Sequence, residues 1–300
     1  MSKFSPIALF VFNRPEHTKN TLNALKENPE FAQSHLYVFC DGPRHEQDAM
    51  QVQAVRDVVK AFAFPNVTIV ERVHNMGLAN SVITGVTELC NQFGRVIVLE
   101  DDLVVSRYFL GYMNSALARY EHEDRVMQVS GYMFPIQWNI QKDTSDTFFM
   151  PVTTSWGWAT WQRAWLKFDA EANGYQTLCQ NKKLKKEFNL DGAYPYFSML
   201  EKQRKGLVDS WAIRWYLSVL LAKGLVLFPR RSLVSNAGFD GSGVHCHDAK
   251  IKAETQFASF SPTCFPGSIS VDATFPDYVE YVKKENSVFQ RLVNRLGFKE

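Results

Sequence analysis

Several familiar devices are missing from this 300-residue chain, and each absence closes a class of function. The five cysteines, Cys40, Cys90, Cys179, Cys246 and Cys264, are odd in number, widely scattered and form no CxxC pair, which argues against a disulfide framework and a zinc ribbon. Reduced thiols in a cytoplasmic protein are expected. An excess of one charge is missing too: 33 Lys+Arg stand against 31 Asp+Glu, a net of +2. That balance provides neither a basic field for nucleic acid nor an acidic tail. Long hydrophobic runs are absent as well. The run from Ile7 to Phe12 stops at Asn13-Arg14-Pro15, too early for a signal peptide, and Leu217 to Ala222 ends at Lys223-Gly224, well short of the roughly 20 residues of a spanning helix. Membrane contact is therefore expected to be at most peripheral, at the inner face. With 46% hydrophobic and 14% aromatic residues, the chain has ample material for a packed core.

What is present is alternation. Ile7 to Phe12 is a continuous apolar run of buried-strand length, and Pro15 opens a helical pattern through Thr18, Leu22 and Leu25. Leu36 to Cys40 repeats the strand signal, ends at Asp41-Gly42-Pro43-Arg44 and gives way to Val52, Val55, Val58 and Val59 at helical spacing. Val67 to Val73 predicts a third strand, Leu78 to Phe93 a helix, and Val96 to Leu99 a fourth strand. This order predicts an α/β fold with a mostly parallel central sheet flanked by helices. After residue 125 the alternation fades into a less regular lobe, where Trp156, Trp158, Trp161 and Trp165 have the spacing of an amphipathic helix packed into the core. A lysine-rich stretch, Asn181 to Lys186, separates them from Trp211 and Trp215, and a last helix is expected from Pro276 to Val293.

Polar residues gather at strand C-termini, the edge where ligands bind in open parallel sheets. The most informative run is Val96-Ile97-Val98-Leu99-Glu100-Asp101-Asp102-Leu103. Adjacent acids repel and resist desolvation, so three in a row need a local reason. A hard cation, Mn²⁺ or Mg²⁺, shared with substrate phosphates supplies one; a helix cap or solvated turn is the plainer alternative.

A hydrophobic strand ending in Glu-Asp-Asp on this layout resembles the acidic motif of GT-A-fold glycosyltransferases. Phe12-Asn13-Arg14-Pro15 is similar to the first-strand loop of their family 2-like members, and Cys40-Asp41-Gly42 resembles the second-strand Asp that contacts the nucleobase. His74-Asn75-Met76-Gly77-Leu78-Ala79 resembles the loop and helix start near the nucleotide. Trp156-Gly157-Trp158 resembles the acceptor-side Gly-Trp segment of the alpha-mannosyl beta-1,2-N-acetylglucosaminyltransferase family. Asp209-Ser210-Trp211 resembles that family's Trp-Asp-Asp-Trp motif, without the preceding Trp and with Ser210 in place of the second Asp. Phe228-Pro229-Arg230-Arg231-Ser232 followed by Gly238-Phe239-Asp240-Gly241-Ser242-Gly243 falls in the order of that family's closing loop. The resemblance spans residues 5–248.

The resemblance implies a metal-dependent, inverting transfer of a sugar from a nucleoside diphosphate sugar, a UDP-sugar first. The acceptor would be a hydroxyl of a glycan or glycolipid, in bacterial surface polysaccharide synthesis. It makes 1–300 one domain, with a nucleotide-sugar half (1–125), an acceptor and catalytic half (126–250) and a C-terminal extension (251–300). Donor contacts fall to Phe12, Asn13, Arg14, Asp41, His74, Asn75, Gly77, Glu100 and Asp101, and the metal to Asp102 and His245. Acceptor contacts fall to Trp156, Gly157, Trp158 and Trp211, and the base to Asp209.

The residues themselves keep plainer readings open. Asp209 before Ile213, Tyr216, Leu217 and Leu220 also suits a helix N-cap, and Asp41 an Asx-turn. Arg14, His74 and Asn75 suit solvated positions, and His245 in His245-Cys246-His247-Asp248 suits a surface loop. A nucleotidyltransferase would have a Gly-rich basic loop after the first strand, and Asn13-Arg14-Pro15 has no glycine. A carbohydrate-binding or toxin-associated protein, with Ca²⁺ on the acids, predicts secretion, against which the unpaired cysteines stand.

Overall fold

The computed structural model describes residues 4–62, 64–136, 145–238 and 260–295. The chain opens with β1 (Ile7–Val11), α1 (Pro15–Lys26), β2 (Leu36–Cys40), α2 (Ala49–Ala61), β3 (Val67–Glu71), α3 (Leu78–Phe93) and β4 (Arg95–Glu100). It continues through β5 (Leu103–Val105), α4 (Phe109–Arg119), β6 (Val126–Ser130), β7 (Thr147–Met150), β8 (Trp158–Trp161) and α5 (Gln162–Trp165). It ends with α6 (Tyr175–Gln180), α7 (Lys182–Phe188), α8 (Tyr196–Arg204), α9 (Trp211–Leu221), β9 (Leu225–Pro229), β10 (Val234–Asn236) and α10 (Phe275–Arg295).

One sheet, in the order β3-β2-β1-β4-β8-β6-β9-β7, runs through both halves of the chain. From β3 to β4 every pairing is parallel, as the strand–helix alternation predicts. Beyond β4 the sheet is mixed: β8 enters antiparallel between β4 and β6, β9 pairs parallel with β6, and β7 closes the edge antiparallel to β9. Parallel pairing needs a crossover helix, and among the described residues none lies between β6 and β8.

Both faces of the sheet are buried, and the period-two geometry of a strand divides its residues between them. In β1, Ala8 and Phe10 pack with Val82, Val86 and Leu89 of α3. Ile7, Leu9 and Val11 pack on the opposite face with Leu22 of α1, Val55 of α2 and Leu110 of α4. Continuous apolar runs result in β1, β2 and β4, which is why those strands are legible in the sequence, whereas the edge strand β3 is only half-buried.

The tryptophan run departs from its expected helix. Trp158 and Trp161 are the two ends of β8, whose four residues are all buried, and Trp165 closes the short α5. Trp158 stacks on Trp211 of α9 at 4.9 Å, whereas the Trp161 indole donates to the Leu117 carbonyl of α4 at 3.0 Å. A central strand covered by helices on both faces loses its alternation, so its spacing imitates a buried helix. No helix among the described residues is long and apolar enough to cross a membrane.

Candidate active site

The loops after β1, β2 and β4 and the first turn of α3 converge on a cleft of about 620 Å³ at the C-terminal edge of the parallel strands. Phe12, Asn13 and Arg14 leave β1, Asp41 leaves β2, and Glu100, Asp101 and Asp102 leave β4 to line it. From the second half come Trp156, Asp209, Trp211 and Asn236. Asn236 is brought in by β10, which pairs with β5 immediately after the acids. The Ala237 N–H donates to the Asp102 carbonyl at 2.8 Å, and Gly238 lies so close to the Asp102 carboxylate that a side chain there would collide with it.

Arg14, expected among the donor contacts, pairs with both neighbouring acids: with Asp101, and with Asp102 at 3.1 Å. Burial works against the guanidinium charge, yet Asp101 and Asp102 together hold it above its ordinary pKa. Burial also raises the Asp101 carboxyl, which Arg14 opposes. Glu100 has no ion pair among the described residues; burial first, then the charges of Asp102 and Asp101, push it up to about 8 against the weaker pull of Arg14. Arg14 thus neutralises a cluster too costly to bury by itself.

Whether these acids fit a divalent cation is tested by what they lack. The Asp101 Oδ2 is buried and has no hydrogen-bond partner among the described residues. Hard carboxylate oxygens side by side at a strand end, one of them buried and unsatisfied, fit Mn²⁺ or Mg²⁺. Among the described residues no group of three or more His, Cys, Asp or Glu forms a cage. The remaining positions fall to substrate oxygens and water, the usual way Mg²⁺ is held. His245 and the glycine-rich stretch after Gly238 lie outside the described residues.

Asp41 organises the neighbouring loops. Its buried carboxylate accepts from the backbone N–H groups of Gly42 and Met76, both at 2.9 Å, and of Gly77 at 3.2 Å. Asn75 completes the tie by donating to the Gly42 carbonyl at 2.8 Å. The approach is close enough that a Cβ on Gly42 would sit 2.5–2.8 Å from the His74 backbone. The expected Asx-turn does not form, because Pro43 has no N–H to donate; the carboxylate takes the Gly42 N–H instead and also fastens the loop before α3.

Asp209 stands over that loop. Its Oδ2 accepts from the Ala79 N–H, in the first turn of α3, at 3.3 Å, and Arg214 lies 4.0 Å from its Oδ1. It does not cap α9, because the Ser210 hydroxyl fills that role by accepting from the Ile213 N–H at 3.4 Å. The Asp209 side chain is 54% exposed, and the neighbouring Trp211 turns into the core against Trp158.

Three expected contacts are displaced from the cleft. The His74 side chain is exposed and does not line it, since the chain there is held through its backbone. Gly157, at φ +62°, is packed against Phe109 and Val234, and Trp158 is fully buried in β8. Of the Trp156-Gly157-Trp158 segment only Trp156, before the strand begins, reaches the cleft. Sequence reasoning missed Arg44, Met199 and Asn236 on the cleft wall. Arg44 carried a signal in the Asp41-Gly42-Pro43-Arg44 turn; its guanidinium covers the Phe12 ring at 4.7 Å and bonds Asp48 at 3.3 Å.

No protein-family model and no curated protein sequence matches this chain. Among solved structures it is similar to GalNAc-T7 with UDP, GalNAc and Mn²⁺, at a TM-score of 0.44 and 8% identity over 75% of this chain and 42% of that one. It is also similar to the mannosyltransferase PcManGT from Pyrobaculum calidifontis in complex with GDP-Man and Mn²⁺, at a TM-score of 0.37 and 13% identity over 73% of this chain and 75% of that one. The chain thus spans less than half the length of the GalNAc-T7 chain it matches.

Proposed function

We propose that this chain is a metal-dependent glycosyltransferase that moves a sugar, with inversion, from a nucleoside diphosphate sugar to a hydroxyl of a glycan or glycolipid. The observation that carries this reading is the meeting of the Glu100-Asp101-Asp102 strand end with Asp209 in one cleft, two sets of carboxylates from opposite halves of the chain. Inversion is a single displacement. The acceptor oxygen attacks the anomeric carbon, its proton passes to Asp209, and the electron pair of the sugar–phosphate bond leaves with the diphosphate. Asp209, half exposed and fastened to α3, is open to an incoming hydroxyl. Asp102, with the Asp101 Oδ2 beside it, would hold Mn²⁺ or Mg²⁺, which would supply positive charge for the departing diphosphate.

In this reading Phe12, Asn13, Asn75 and Gly77 shape the donor side, with Asp41 fixing the loop that carries Asn75 and Gly77. Trp156 and Trp211 form the acceptor wall of the same cleft. Residues 1–125 are the donor half and 126–250 the acceptor half of one domain, and 251–300 adds α10. A UDP-sugar is the first donor to try, and the proposed setting is surface polysaccharide synthesis at the cytoplasmic side of a bacterial membrane.

The test is thermal unfolding with UDP, GDP, CDP or dTDP, each with and without Mn²⁺, on the wild type and on Asp102→Ala. A ligand that binds only the folded state raises the midpoint by mass action. One nucleotide should stabilise the wild type only with metal, and Asp102→Ala should abolish the rise. Stabilisation by free glycans or Ca²⁺, with none by any nucleotide, would turn the reading to a carbohydrate-binding protein.

A further inference from the structure

Beside the cleft lies a second cavity of about 480 Å³, which shares Ser155, Trp156, Met199 and Ala212 with it. Ala212 follows Asp209 by three residues, so this shared wall lies next to the proposed base. The rest of the lining is aromatic and comes from distant parts of the chain. Tyr132 and Phe134 follow β6, Tyr196 opens α8, Tyr216 belongs to α9, and Tyr278 and Tyr281 to α10. One run of ring contacts leads from Trp156 to Tyr132 at 4.4 Å, on to Phe134 at 5.0 Å and to Tyr281 at 5.7 Å. A second joins Tyr194 to Tyr196 at 4.5 Å and Tyr196 to Tyr216 at 5.0 Å.

Two properties of this lining narrow its ligand. The hydroxyls of Tyr132, Tyr194, Tyr196, Tyr216, Tyr278 and Tyr281 make no hydrogen bond to another described residue. Burial pushes those of Tyr132, Tyr196 and Tyr216 above the ordinary phenol value, so they remain neutral donors. Glu285 is the one charged residue among the described lining, and no cation there matches a phosphate or carboxylate.

We propose that this cavity is the acceptor site and that the acceptor presents a neutral sugar ring to it, with α10 as the wall that selects the ring. Aromatic faces match the C–H face of a pyranose, and phenol hydroxyls without a partner among the described residues match its hydroxyl rim. An alkyl chain would cover the same rings and leave those hydroxyls unsatisfied. The term "acceptor" rests on the transferase reading; the sugar site rests on the cavity itself.

Saturation-transfer NMR on the full chain, without nucleotide or metal, tests this with the methyl glycosides of glucose, galactose, mannose and N-acetylglucosamine, and with n-octanol as the apolar probe. At least one glycoside should receive saturation. Tyr281→Phe, which keeps the ring and removes the hydroxyl, and Tyr194→Ala, at an exposed position, should each weaken it at least fivefold with an unchanged unfolding midpoint. Saturation of n-octanol alone, of no probe, or of a glycoside that both variants still bind like the wild type would overturn the proposal. Glycoside binding that the variants weaken, in a protein no nucleotide stabilises, would leave the sugar site standing and remove the transferase reading instead.

Discussion

The acidic cleft and the tyrosine-lined cavity share a wall, yet they are assembled in opposite ways. The acids of the cleft are contiguous at the end of β4, and its loops are bound to one another by backbone hydrogen bonds to Asp41. The cavity instead collects single side chains from β6, α8, α9 and α10, joined by ring contacts. Charge has to be held to a fraction of an ångström, and parallel strand ends provide that rigidity. Ring faces tolerate more latitude, so packing between elements of a less regular lobe is enough to place them.

The sharpest way to break this comparison is at Asp209, the carboxylate that the second half contributes to the cleft. Asp209→Asn keeps the shape and the Ala79 hydrogen bond but cannot take a proton. Steady-state kinetics should show kcat lowered by about 10²–10⁴-fold with the donor KM unchanged. A raised donor KM at normal kcat would make Asp209 a binding residue of the cleft.

Trp156 and Trp158 carry the same contrast into one short segment. Trp158 is fully buried and stacked on Trp211, so Trp158→Ala should cost about 3–5 kcal/mol of stability, read as a lower urea midpoint. Activity per folded molecule should change little. Trp156 is half-buried on the shared wall, so Trp156→Ala should raise the acceptor KM with a much smaller loss of stability. A reversal of the two results would put Trp158 back on the acceptor side.

This contrast also decides what could be read from the sequence. β1 to β4 were legible to within two residues because β1, β2 and β4 are apolar runs closed by turns and β3 sets its valine and isoleucine at period two, and α3 matched its predicted bounds, Leu78 to Phe93. The strand-end acids were legible because three carboxylates after a buried run demand a reason. The partnership of Arg14 with Asp101 and Asp102 was not, since it depends on the reach of a side chain across the gap between β1 and β4. β8 was misread because a strand buried on both faces loses its alternation. The tyrosine cavity left no trace, since Tyr132, Tyr216 and Tyr281 have no spacing in the sequence that foretells their meeting.

Two glycines separate backbone strain from the geometry of the cleft. Gly77 has φ +76° and ψ 157°, a region that side-chain-bearing residues avoid, and a Cβ there would sit 3.0 Å from the Asp209 Oδ2. Gly94, at φ +78°, ends α3 in open space. Each Gly→Ala change should cost about 1–3 kcal/mol in strain. Only Gly77→Ala should also lower kcat, by displacing the proposed base. Equal activity in both variants would detach Asp209 from the chemistry.

The mildest test concerns how tightly each half is closed. Cys40, at the end of β2 beneath the cleft, and Cys90 on α3 are buried, whereas Cys179 on α6 and Cys264 are exposed. Burial pushes the Cys40 and Cys90 thiols up to about 12. At pH 8 a thiol-specific reagent should therefore label Cys179 and Cys264 and leave Cys40 and Cys90 unmodified, as peptide mapping would show. The sign of the linked pH effect follows from proton binding. From the ordinary thiol value near 8.5 up to about 12, the folded chain holds two protons that the unfolded chain releases, so stability falls as pH rises through that window. The urea midpoint should drop between pH 8 and pH 10, and Cys90→Ala should remove part of the drop while creating a small cavity of its own. A wild-type midpoint that stays level across that range, with Cys40 labelled at pH 8, would mean that the first half of the chain opens as readily as the lobe.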